Sequence, residues 1–225
     1  MTYSGATHDF LGGVLPDKDL RAEIFSLVEQ AWPNVPSPRD AWLEPRITGL
    51  LQMAMIQLQE SRYEADPPFD VREDVKLRDP VSGKEAERMD LGIWLRHQYI
   101  KGCKPYFVFE AKRLNVLIGG VVRSEAHEYV GDGGMGCLLA GGYNTVPNYS
   151  GMLAYVMDGN IATAKRSVEK QLASKSGQVR LHGDAKIHSS AWMLKSSPHG
   201  ETRHTTDSEP AVLFHMFLAV TRRCR

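Results

Sequence analysis

The chain has 225 residues, enough to bury a sizeable core and within the range of one domain with decorations. Lys plus Arg is 27 and Asp plus Glu is 27, so the net charge is zero; this counts against strong non-specific nucleic-acid binding but leaves room for a local basic face. With 42% hydrophobic and 24% charged residues the composition is that of a globular protein, and no run of about 18 apolar residues is present to span a membrane.

The cysteines, Cys103, Cys137 and Cys224, are odd in number and lack C-x-x-C spacing, which predicts reduced thiols in a cytoplasmic protein. The first residues lack the basic start and apolar stretch of a secretory signal. Leu20, Ile24, Leu27, Val28 and Ala31 predict a helix over 20–31, ended by Trp32-Pro33 and followed by a linker over 33–38. Leu43, Ile47, Leu50, Leu51, Ala54, Met55 and Leu58 predict a stronger second helix. Pro45 suits a first helical turn, so this helix should start near Glu44. Pro67-Pro68 marks a break.

Strand texture follows. Residues 71–77 read as a half-exposed strand, 79–83 as a turn and 89–95 as the returning strand of a hairpin. Residues 96–104 form a polar loop, and 105–111, with Tyr106, Phe107, Val108 and Phe109, read as a buried central strand. Helix is expected over 124–130, then a Gly-rich stretch, then a buried strand over 151–157. Asp158 is expected to cap a helix running to about Lys175 through Ile161, Ala164, Val168 and Leu172. A late strand is expected over 189–194; 211–220 reads as a strand or a buried helix, which periodicity alone does not decide. The order α, β-β-β, α-β-α-β gives the α/β class with a mixed central sheet flanked by helices. Residues 1–225 are expected to form a single domain. Its core spans about 40–175, with an N-terminal helical extension over 1–38 and C-terminal strands or helix over 176–225.

Three triplets place an acid two residues before a lysine: Asp74-Val75-Lys76, Glu110-Ala111-Lys112 and Asp184-Ala185-Lys186. Only Glu110 directly follows a run of apolar strand residues. Residues i and i+2 of a strand share a face, so Glu110 and Lys112 leave the core side by side. Asp90, on the preceding strand, comes next to Glu110 if the two strands are neighbours. Two carboxylates at close range repel unless a cation lies between them, and oxygen ligands with water suit Mg²⁺, to which the Ala111 carbonyl could add. Lys112 would then orient or deprotonate a water, or hold a phosphate oxygen. That set fits phosphodiester hydrolysis, in which a metal lowers the pKa of bound water and a cation stabilises the transition state.

Asp90 followed by Glu110-Ala111-Lys112 resembles the motif of the PD-(D/E)xK, or restriction-endonuclease-like, nuclease superfamily, over roughly residues 40 to 175. The resemblance implies an αβββαβ core, Mg²⁺ (with Mn²⁺ as a substitute) and cleavage of DNA, less often RNA. By position Glu44 matches the acidic residue that many members carry on the preceding helix, although Pro45 biases it away from helical geometry. Met89 stands before Asp90, where proline is common. The expectation is a Mg²⁺-dependent endonuclease acting on DNA. Asp90, Glu110 and Ala111 would bind the metal, Lys112 would assist the water, and Glu44 would support the site. By resemblance it would work as a homodimer or subunit of a larger complex, in restriction or anti-phage defence. The alternative is a catalytically inert nuclease-fold module that binds nucleic acid or protein.

Other features carry less. Gly131, Gly133 and Gly136 fit G-x-G-x-x-G without the preceding strand that a dinucleotide loop needs. The histidines show no metal-ligand spacing and read as loop residues. Residues 199–207 read as a polar mobile loop whose Arg203 or His204 could touch phosphate. Lys165, Arg166, Lys170 and Lys175 form a basic stripe on one helix, a solvated face or a phosphate track. Arg222, Arg223 and Arg225 are ambiguous in the same way.

Overall fold

The computed structural model describes residues 17–63, 67–78, 85–96, 105–140, 149–194, 197–206 and 210–221. Helix α1 (Asp17–Ala31) buries Ile24, Leu27 and Val28, whose spacing predicts it. Helix α2 (Glu44–Tyr63) begins at Glu44 with Pro45 in its first turn, where the missing N–H costs nothing, and buries Ile47, Leu51 and Met55. Strands β1 (Phe69–Arg78), β2 (Glu85–Leu95) and β3 (Phe107–Leu114) form an antiparallel meander. A short hairpin, β4 (Val116–Ile118) and β5 (Val121–Arg123), then leaves the sheet. Its turn is Gly119-Gly120, both with positive φ, as a two-residue hairpin turn requires.

Helix α3 (Ala126–Val130) leads through a tight glycine turn and one helical turn (Cys137–Leu139) to β6 (Tyr149–Val156). Helix α4 (Ile161–Ser174), β7 (Gly200–His204) and β8 (Ala211–Ala219) complete the chain. The protein is α/β, with one mixed six-stranded sheet in the order β1-β2-β3-β6-β8-β7 and helices on both faces. β3, β6 and β8 run parallel, and β7 closes the edge antiparallel to β8. On one face α1 and α2 pack with Leu91, Ile93, Phe107, Phe109 and Phe214. On the other, α3 and α4 cover Val108, Leu114, Met152 and Phe217. β3 is thus buried on both sides, which is why it reads as an unbroken apolar run.

The structure corrects several expectations. Residues 189–194 form no strand; they turn back after His188, which makes an isolated bridge to Glu201. The edge strand is β7 instead, inside the stretch expected to be a mobile loop. Of the two readings left open for 211–220 the strand holds, over Ala211–Ala219. Both β7 and β8 belong to the central sheet, which therefore continues past residue 175. Asn160, not Asp158, caps α4: its side chain accepts the Thr163 N–H at 3.1 Å. Asp158 Oδ1 accepts from Asn160 N and Asn115 Nδ2. The turn at 79–83, most of the loop at 96–104, Cys103, Cys224 and the terminal arginines lie outside the described residues. Among the described residues no helix is long and apolar enough to cross a membrane.

β7 carries no apolar periodicity because its buried positions are polar. Thr202 and His204 join His215 of β8 and Tyr129 of α3 in one buried chain of hydrogen bonds. Its direction follows from its end. The Val179 carbonyl only accepts, so His204 Nδ1 donates to it at 2.7 Å. Neutral His204 then accepts from the Thr202 hydroxyl at Nε2, Thr202 accepts from His215 Nε2–H, and the Tyr129 hydroxyl donates to His215 Nδ1. Burial pushes His215 down to about 3 and lowers His204, so both rings stay neutral. These histidines are core residues, as is His199, which accepts the Phe217 N–H and faces Glu29 at 3.0 Å.

Candidate active site

The β2–β3 ladder ends at Leu91 opposite Phe109, whereas β3 stays paired with β6 as far as Leu114. Beyond Phe109 the β2 side of β3 is therefore open, and a cleft of about 540 Å³ lies at this fork. Continuing the β2–β3 register by one residue sets Asp90 opposite Glu110. Asp90 Oδ2 accepts the Ala111 N–H at 2.8 Å, taking the place of a ladder carbonyl. Glu110 and Lys112 share the face of Val108 and Leu114 by alternation, and both enter the cleft. Lys112 Nζ donates to Glu110 Oε1 at 2.5 Å and to the Ala111 carbonyl at 3.1 Å.

Glu44 reaches the cleft from the first turn of α2, so the neighbouring proline does not keep it away. Its Oε1 lies 3.2 Å from Arg113 Nε and 3.4 Å from the Arg113 N–H. Arg113 Nη1 also donates to the carbonyls of Asp40 and Trp42, which clamps the start of α2 to β3. A second tie comes from Tyr155, whose hydroxyl meets Thr48 Oγ1 at 2.9 Å; Thr48 in turn donates to the Glu44 carbonyl. The four expected side chains, Glu44, Asp90, Glu110 and Lys112, thus line one cleft.

Its electrostatics are unusual. Burial pushes the Glu110 carboxyl up to about 7, the Asp90 charge adds to the rise, and Lys112 opposes it. Burial pulls Lys112 down, but the carboxylates of Glu110, Asp90 and Glu44 outweigh it and hold the ammonium above the usual lysine value. Glu125 and Glu128, near the start of α3, line the cleft as well. Five carboxylates therefore face two cations, Lys112 and Arg113. Sequence reasoning missed Arg113, Glu125 and Glu128, since nothing in the chain between β3 and α3 says that it folds back over the strand end.

The groups of this cleft that could hold a hard cation lie on β2 and β3. Asp90, Glu110 and the Ala111 carbonyl offer oxygen only, and Mg²⁺ is held by one or two carboxylates with water completing its shell. Burial first, and the Asp90 charge second, raise Glu110 against the opposing pull of Lys112. Among the described residues no group of three or more His, Cys, Asp or Glu could hold a metal ion.

The remaining candidates lie elsewhere. Asp184 is exposed and pairs with His188 at 2.6 Å, and Lys186 lies 3.5 Å from Glu169. His204 is buried in its hydrogen-bond chain, and Arg203 is exposed beside Glu201. Lys165 and Lys175 of the basic stripe reach the carbonyls of Pro198 and His127. Gly131 to Gly136 follow a helix and form a tight turn in which Gly134 lies against the Tyr129 carbonyl. No family model, curated protein or solved structure matches the chain.

Proposed function

We propose that this protein is a metal-dependent endonuclease that hydrolyses phosphodiester bonds in DNA. The observation that carries the reading is the meeting of Asp90, Glu110, Lys112 and Glu44 in one cleft where β2 parts from β3. The order α2, β1–β3, α3, β6 supports a restriction-endonuclease-like core. Asp90, Glu110 and the Ala111 carbonyl would hold Mg²⁺ or Mn²⁺. When bound, the metal supplies a water of lowered pKa and neutralises charge on the phosphoryl oxygens.

The chain's own groups do the rest. The Ala111 N–H fixes one oxygen of Asp90 and leaves the other for the cleft. Lys112, already in contact with Glu110 and Ala111, stands where it can orient the attacking water and stabilise charge developing on phosphate. Arg113 and Thr48 keep Glu44 at the rim, where its carboxylate can accept a hydrogen bond from a water. The test is plasmid cleavage with and without Mg²⁺. Glu110→Ala and Lys112→Ala should each lose activity by at least about a hundredfold; if either cuts as fast as the parent, the assignment is wrong.

The zero net charge gives weight to a second reading, an inert nuclease-fold module that binds nucleic acid or protein. Calorimetry separates the two: absence of Mg²⁺ or Mn²⁺ binding at millimolar concentration supports the module. Cutting both strands calls for two sites, so the active form is proposed to be a homodimer or part of a larger complex, as in restriction or anti-phage systems. Light scattering tests this, and a strict monomer that cuts both strands in one event contradicts it.

A further inference from the structure

Asp74 lies in the middle of β1 yet has φ 47°, in the left-handed region that extended strands do not use. The β1–β2 register passes from Glu73 opposite Leu91 to Val75 opposite Met89, and the pair between them, Asp74 with Asp90, is not formed. The other ladder of β2 stops at the same place, with Leu91 opposite Phe109. The faces of β2 change there too. Leu91, Ile93 and Leu95 pack on the side of α1 and α2, so alternation would send Met89 the same way. Met89 instead packs with Trp94 and Val108 on the side of α3 and α4. The strand is therefore twisted between Met89 and Leu91.

That twist gives Asp90 a direction it would otherwise lack. Side chains of a regular strand stand out of the sheet, whereas ladder amides point along it. Asp90 Oδ2 nonetheless accepts the Ala111 N–H of the neighbouring strand. Its carboxylate lies in the plane of the sheet, in the gap that a regular ladder would have closed.

We propose that Asp74 is a positioning residue for the site: its left-handed backbone opens the ladder opposite Asp90 and sets the twist that turns the Asp90 carboxylate onto Ala111 and towards Glu110. The inference rests on the nuclease reading for the importance of Asp90; the positioning itself is geometric. Backbone conformation carries the effect. Aspartate tolerates a left-handed φ better than most residues and glycine adopts it freely, whereas a β-branched residue resists it. Strain of this kind is held where function repays it.

The test compares Asp74→Gly, Asp74→Ala and Asp74→Val with the parent and with Asp90→Ala. Hydrogen exchange of the Ala111 amide, read by NMR, reports the bond to Asp90, and Mg²⁺-dependent plasmid cleavage is measured alongside. Asp90→Ala should speed exchange at Ala111 by about tenfold to a hundredfold, the loss of one charge-assisted bond. Asp74→Val should do the same and lose cleavage, while Asp74→Gly keeps both the protection and the activity. If Asp74→Val does not fold, Asp74→Ala, which resists the left-handed conformation less, carries the same comparison against Asp74→Gly. The inference is overturned if a folded Asp74→Val or Asp74→Ala keeps Ala111 protected. Loss of protection in Asp74→Gly overturns it as well, because the side chain would then be the cause. If protection follows the expected order but the parent never cuts nucleic acid, the positioning stands and the nuclease reading falls.

Discussion

Replacing Glu110 with glutamine should make the protein more stable at alkaline pH. The carboxyl titrates at about 7 in the folded chain against 4.5 for the ordinary group, because it is buried beside Asp90. A raised acid means that the folded state holds a proton that the unfolded state has released. Folding is therefore penalised as pH rises from 4.5 through 7, and the penalty is complete above 7. A difference of two and a half pH units corresponds to about 3 kcal/mol at pH 8. Glutamine mimics the protonated group and avoids that cost. For a chain of this length, 3 kcal/mol shifts Tm by roughly 6–12 °C. Urea unfolding of parent and Glu110→Gln at pH 8 and pH 4 measures the effect. The variant should be more stable at pH 8, and the gap should nearly close at pH 4, where the carboxyl is mostly protonated in either state. A variant that is less stable at pH 8, or a gap independent of pH, would refute the claim that Glu110 is a buried, under-compensated charge.

Other outcomes follow from the same geometry. His215 is depressed from 6.5 to about 3, so the unfolded chain takes up a proton that the folded chain refuses. Stability is then lost as pH falls below 6.5, by about 3 kcal/mol at pH 4.5. The parent should mask part of this loss because Glu110 acts in the opposite sense, and urea titrations of Glu110→Gln should reveal it in full. Thr202→Val leaves His204 Nε2 without a donor and His215 Nε2–H without an acceptor in the core. It should cost about 2–4 kcal/mol in chemical denaturation. Gly134→Ala would set a Cβ 2.3 Å from the Tyr129 carbonyl, so the turn that seats α3 must move. A loss of about 2 kcal/mol or more in urea unfolding is expected, with a null effect refuting the packing. Arg113→Ala frees Glu44 and the chain at Asp40 and Trp42. On the proposed nuclease function, cleavage should fall by about tenfold without being abolished, since the residue acts through Glu44.

Much was written in the chain. Two helices, the meander and the choice of Glu110-Ala111-Lys112 over two other triplets followed from local pattern, because a strand buried on both faces and an amphipathic helix each carry their periodicity in a few adjacent residues. Asp90, Glu110 and Lys112 follow from that pattern and Glu44 from the resemblance to the restriction-endonuclease-like motif, and all four line one cleft. Tertiary structure decided the rest. β7 is polar, and only its pairing to β8 and the hydrogen bonds of Thr202, His204 and His215 show it to be a buried edge strand. Arg113, Glu125 and Glu128 enter the cleft through a fold-back that no spacing encodes. The bend at Asp74 belongs to the same class. A backbone angle on one strand and the aim of a carboxylate on the next meet only through the flanking pairs, Glu73 with Leu91 and Val75 with Met89, which exist only once the strands have met.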